Sequence, residues 1–168
     1  MLKEDREVQE KKIMDMPHTR EDIEDFLDRL FPDRCIEKVL LVNPPDSHSE
    51  LFRYDTAKRG RYSSYPPYGL AILAQNLRDI GIDVEICNLN YEILKECYEL
   101  EDETKLDFDG IWHDLLDRDI ESFQPDFIGI TCMFTMSHES LKRVCARASS
   151  KKIPFGVGGV HMSYDQAY

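Results

Sequence analysis

The sequence predicts an α/β fold, an open parallel β-sheet flanked by helices. Three observations carry this. Four short runs rich in strand-forming residues recur along the chain, Lys38–Asn43, Val84–Leu89, Phe127–Phe134 and Ile153–Val157. Their apolar residues run on with little alternation, the pattern of strands buried on both faces. Segments with helical spacing of apolar residues lie between them, and strand–helix–strand alternation builds parallel sheets.

The elements follow in order. Residues 1–17 are highly charged and weakly patterned, as in a tail or a frayed helix. Thr19 reads as an N-cap with Asp22 three residues on, a variant of the capping box. Ile23, Phe26, Leu27, Leu30 and Phe31 then line one side of a short amphipathic helix that Pro32 ends. We therefore expect an N-terminal helical extension over residues 1–35 and the main domain over 36–168.

The first strand stops at Pro44-Pro45, and a loop runs to about Pro66. Pro67 suits the first turn of a helix, and Leu70, Leu73, Ala74 and Leu77 give that helix a core face. Gly81 is placed to end it. After the second strand, a helix is expected from Tyr91 to about Leu100. An acidic stretch follows, then a helix with Trp112, Leu115, Leu116, Ile120 and Phe123 inward, broken by Pro125-Asp126. Ser137 is expected to cap the next helix, whose inward residues are Leu141, Val144, Cys145 and Ala148. The fourth strand runs into Gly158-Gly159.

Charge excludes some functions. The 33 acidic and 21 basic residues leave a formal net charge of −12, unsuited to general nucleic-acid binding or a polybasic membrane anchor. The acids concentrate in two places: residues 1–37 hold twelve against seven bases, and residues 91–122 twelve against three. One basic cluster stands out, Arg53, Lys58, Arg59 and Arg61, interleaved or followed by Tyr54, Tyr62, Tyr65 and Tyr68. Such a loop suits either a phosphate-bearing ligand or simple solvation. No apolar run approaches the ~20 residues of a membrane span. The N-terminus lacks a signal-like apolar core, so a cytoplasmic setting is the expectation. The five cysteines, at 35, 87, 97, 132 and 145, show no metal-knuckle or CxxC spacing.

Open sheets of this kind bind ligands beyond the carboxyl ends of their strands. The segments to inspect are thus 43–48, 88–91, 131–137 and 158–161. After the first strand stands Asn43-Pro44-Pro45-Asp46, which is neither GxGxxG nor a P-loop. Its two prolines remove backbone donors that a flavin phosphate turn would want.

A set of motifs in order resembles one family. These are Val39-Leu-Leu-Val-Asn-Pro-Pro45, Tyr65-Pro-Pro-Tyr-Gly-Leu-Ala71, Gly81-Ile-Asp-Val84, Gln124-Pro-Asp-Phe-Ile-Gly-Ile-Thr131 and Gly156-Val-Gly-Gly-Val-His161. Over roughly residues 36–165 they are similar to the N-terminal cobalamin-binding domain of cobalamin-dependent radical S-adenosylmethionine enzymes. The resemblance implies a Rossmann-like (flavodoxin-like) domain holding cobalamin at its strand ends. It implies contacts from Asn43, Pro44, Tyr68, Gly69, Thr131, Cys132, Met133, Phe134, Thr135, Gly158, Gly159, Val160 and His161. The residue types suit this: small glycines admit a nucleotide tail, threonines offer hydroxyls, and Met133 and Phe134 offer apolar walls.

Asp46-Ser-His48 partly matches the pattern in which a histidine after the first strand ligates cobalt, with an acid to orient it. His48 is therefore the candidate metal ligand; Leu51 replaces the pattern's glycine. Cysteines spaced CxxxCxxC, which would hold a 4Fe-4S cluster and its S-adenosylmethionine, are absent. By the resemblance those belong to a radical domain in cis, and the chain reads as a sheet cut short after its fourth strand. Two other readings stand beside this one. One is a small flavodoxin-like or nucleotide-dependent enzyme working through the basic Tyr-rich loop, and the other a stand-alone corrinoid carrier or regulator.

Overall fold

The computed structural model describes residues 19–31, 36–62 and 64–160. They fall in two compact units, one holding residues 19–31 and the other 36–160. In the first, helix α1 (Arg20–Leu30) starts at a complete capping box. The Asp22 N–H donates to Thr19 Oγ1 at 3.1 Å, and the Thr19 N–H donates to Asp22 Oδ2 at 3.0 Å.

The second unit is a Rossmann-like α/β domain. Its strands are β1 (Lys38–Asn43), β2 (Asp83–Asn88), β3 (Phe127–Thr131) and β4 (Phe155–Gly158), all parallel in the order β2-β1-β3-β4. The helices between them are α2 (Tyr54–Lys58), α3 (Tyr68–Asp79), α4 (Leu89–Glu99), α5 (Phe108–Phe123) and α6 (His138–Ser150). Two short 3-10 turns add Glu103–Lys105 and Thr135–Ser137.

Side-chain alternation sorts the sheet into two faces. On one, Leu40, Val42, Ile128 and Ile130 pack against Leu116 of α5 and Val144 of α6 in the larger core, each at 2% exposure or less. On the other, Val39, Leu41 and Val84 meet Leu70 and Ala74 of α3. Burying each large aliphatic contributes about 1.5–3 kcal/mol before entropy is counted. Asp126 sets the start of the central pair: its Oδ2 accepts from the Glu37 and Lys38 N–H groups, both at 2.9 Å.

Several expectations are corrected. Leu73 is 45% exposed rather than in the core, because α3 presents Leu70, Ala74 and Leu77 to the sheet and turns Leu73 aside. Only β1 is buried at every position between its end residues; β3 alternates buried with half-buried residues, and at the edge β2 leaves Asp83 and Glu85 exposed. β3 ends at Thr131, not Phe134. β4 begins at Phe155, not Ile153. The loop before Pro66 contains α2. Helix α4 starts two residues early, since the Asn88 side chain caps it directly by accepting from the Tyr91 N–H at 3.2 Å. Ser137 occupies the N-cap position of α6 but accepts from none of its N–H groups; its hydroxyl is turned to donate to the Phe134 carbonyl at 2.7 Å. Gly81 ends α3 as expected: at φ +91° it allows the Gly81 N–H to reach the Arg78 carbonyl and the Ile82 N–H to reach that of Leu77.

Candidate ligand site at the carboxyl ends of the strands

On the face carrying α3, the sheet positions are Val39, Leu41 and Asn43 in β1, and Val84, Ile86 and Asn88 in β2. They continue as Phe127, Gly129 and Thr131 in β3, and Gly156 and Gly158 in β4. Helix α3 covers β1 and β2. Over β3 and β4 the floor is glycine. A Cβ at Gly158 would meet nothing within 4 Å. At Gly129 it would meet only Leu41 Cδ2 at 2.8 Å, and at Gly156 only the Phe127 ring, from 3.0 Å. The result is a shallow glycine trough, open at Gly158, overlain by the Leu41 side chain at Gly129 and by the Phe127 ring at Gly156, and running up to Thr131.

One rim of the strand ends is tied by asparagines. Asn43 and Asn88 are partners in register, and Asn43 Nδ2 donates to Asn88 Oδ1 at 2.9 Å. Three residues after Asn43, the Asp46 N–H donates to Asn90 Oδ1 and Asn90 Nδ2 donates back to Asp46 Oδ2, both at 3.1 Å. Burial pushes the Asp46 carboxyl above its usual range, and the Asn90 bond offsets part of that. Segments 43–48 and 88–91 thus form one rim.

The other rim is apolar. Met133, Phe134 and Met136 are each half or more exposed, with the exposed Thr135 among them, and Val160 is exposed after β4. Cys132 points the other way: it is 1% exposed, with Sγ 3.6 Å from both the Phe134 carbonyl and Ser137 Oγ. The Gly158-Gly159 pair divides in the same manner. Gly158 opens onto the trough, whereas Gly159, at φ +111°, lies against the Cys132 backbone, where a Cβ would overlap it. The glycine at 159 is required by this packing. Tyr68 and Gly69 are exposed at the start of α3, Pro44 is buried, and His161 lies outside the described residues.

His48 is turned towards the helices and is not a free loop residue: its side chain is 15% exposed, with Nε2 3.8 Å from Glu50 Oε2. It lines a cavity too tight for water with Pro45, Phe108, Trp112 and Ser140. Its Nδ1 is buried without a hydrogen-bond partner among the described residues, as is Ser140 Oγ. Beside them, Ser49 Oγ donates to Asp109 Oδ2 at 2.9 Å and Arg143 lies 3.6 Å from the same carboxylate. The loop after β1 is thereby fastened to α5 and α6.

Part of the basic Tyr-rich loop serves architecture. The Tyr54 hydroxyl donates to the Leu100 carbonyl at 2.6 Å, and Lys58 donates to the Tyr98 and Leu100 carbonyls at the end of α4. Tyr62 stacks on Phe52 with centroids 5.1 Å apart. Arg53, Arg59 and Arg61 are exposed and make no ion pair among the described residues.

The model of the family described as "B12 binding domain" matches residues 58–168. The chain belongs to the B12 binding domain family. No curated protein and no solved structure matches it. Family membership supports cobalamin as the ligand. The matched span includes Thr131, Gly156 and Gly158, while Asn43, Asp46 and His48 precede it. Among the described residues no group of three or more His, Cys, Asp or Glu is placed to hold a metal ion. None of their helices is long and apolar enough to cross a membrane.

Sequence reasoning missed Asn88, Asn90, Gly129 and Gly156 as site residues. A Asn-Leu-Asn run at a strand end was the available signal for the asparagines. The two glycines carry meaning only once register places them side by side.

Proposed function

We propose that the chain holds cobalamin across the carboxyl ends of β1, β3 and β4, as the corrinoid module of a radical S-adenosylmethionine enzyme. The observation that carries the binding part is the glycine trough of β3 and β4, open at Gly158 by the strand ends between an asparagine rim and an apolar rim. In this reading the trough takes the nucleotide tail, with Thr131 offering a hydroxyl at its upper end. Met133, Phe134 and Met136 exclude water from the corrin, and Asn43 supplies a polar contact at its edge. Bound cobalamin supplies the chemistry of methyl-group relay or assistance to radical reactions. The motif order from Val39 to Gly159 supports the radical association, with the 4Fe-4S cluster and S-adenosylmethionine held by a catalytic domain in cis. Catalysis is not assigned to this chain alone.

The test is to mix the purified chain with hydroxocobalamin, desalt it and record the visible spectrum. Retained corrin absorbance is expected; none in a folded sample overturns the binding reading. A coding frame that yields no CxxxCxxC downstream overturns the radical association. Ligation of cobalt by His48 is tested in the same spectrum: a His48→Ala sample identical to wild type rejects it.

A further inference from the structure

The amide of Asn43 is oriented from the other side of the rim, in two steps. A backbone N–H only donates, so the Asn88 atom 3.2 Å from the Tyr91 nitrogen is an oxygen. That same oxygen lies 2.9 Å from the Asn43 amide, so Asn43 must turn its NH2 towards Asn88. Asn43 Oδ1 is then the polar atom left over. It accepts from no group among the described residues, and it is not among their buried unpaired atoms. The N-terminal turn of α4 therefore decides that Asn43 presents an acceptor at the end of the central strand.

We propose that Asn88 is a positioning residue that holds Asn43 as a hydrogen-bond acceptor, and that this acceptor selects corrinoids bearing peripheral amides over the corresponding carboxylates. The proposal rests on the cobalamin reading of the site. An amide side chain on the corrin edge donates an N–H to Asn43 Oδ1. A carboxylate at the same place has only lone pairs to offer, and the two acceptors repel. Polar sites reject a ligand lacking the matching group strongly, because the site atom is left unpaired.

The probes are cyanocobalamin and its separated monocarboxylic acids, each titrated by equilibrium dialysis. Wild type is expected to bind at least one acid isomer about tenfold more weakly than cyanocobalamin, the scale of one hydrogen bond exchanged for an unpaired acceptor. Asn88→Ser keeps a good helix cap but is too short to hold Asn43, so its thermal midpoint should stay near wild type while the preference falls to about twofold or less. Asn88→Asp still accepts from both donors and should retain the preference. A full preference in Asn88→Ser, its loss in Asn88→Asp, or its absence in wild type overturns the proposal. A wild-type chain that retains no corrinoid at all overturns the site reading instead.

Discussion

Gly159 lies directly against the backbone of Cys132, and the Cys132 N–H donates to the carbonyl of the preceding Gly158 at 2.7 Å. This crossing closes the end of the sheet and turns the Cys132 side chain inward. Gly159→Ala would force a Cβ into the Cys132 carbonyl at a positive φ. A loss of roughly 2–4 kcal/mol is expected, read from the urea midpoint.

Gly158 gives the opposite result at the next position. A side chain there meets nothing within 4 Å, so Gly158→Leu should change stability by less than about 1 kcal/mol. The same side chain projects into the trough, so cobalamin retention after desalting should drop at least tenfold. Unchanged retention would show that the trough is not the binding surface.

Asp117 carries the clearest pH dependence. Hydrogen bonds from Arg147 and then Lys151 hold its carboxyl below the ordinary value of 3.8. A carboxyl depressed on folding contributes stability above its unfolded pKa and loses it as pH falls through the folded one. Acid unfolding of wild type below about pH 4 should therefore be steeper than that of Asp117→Asn. The difference, up to about 1 kcal/mol for a partly exposed pair, is measurable by urea titration across pH 2–5.

Cys145 should be a poor nucleophile despite partial exposure. Burial, with a smaller contribution from nearby Cys132, pushes its thiol up to about 11. Its thiolate fraction at pH 8 is then roughly a hundredfold below that of a free cysteine. Peptide mapping after brief iodoacetamide treatment should find Cys145 largely unlabelled in the folded chain and labelled in urea.

Leu116 and Leu73 separate core from surface on two helices. Leu116 is fully buried, so Leu116→Ala should cost about 2–5 kcal/mol. Leu73 is 45% exposed, so Leu73→Ala should cost less than about 1 kcal/mol, checked by the same denaturation.

Much of the fold was legible. Apolar runs bounded by Pro44-Pro45, Gly81 and Pro125-Asp126 marked the strands, and helical spacing marked what lay between. The site was legible as segments and only partly as side chains. Cys132 and Met133 are adjacent and both apolar, yet one is buried and the other half exposed, because the chain leaves the sheet at Thr131. Ser137 stands at the N-cap position, but no backbone N–H of α6 donates to its hydroxyl, which instead donates to the Phe134 carbonyl. The sequence pattern around Asp46 and His48 suggests a metal ligand and gives no sign of the walls that α5 and α6 put around His48.

By itself the sequence determined the class of structure and about where each strand of the sheet ends. Those depend on local periodicity and on residues that break helices and strands, and both are written in consecutive positions. Only the tertiary structure decided that Gly129, Gly156 and Gly158 share one face of the sheet, that Asn88 orients Asn43, and that Gly159 belongs to Cys132. Each of these joins residues from different strands, and strand order and register exist only after the chain has folded.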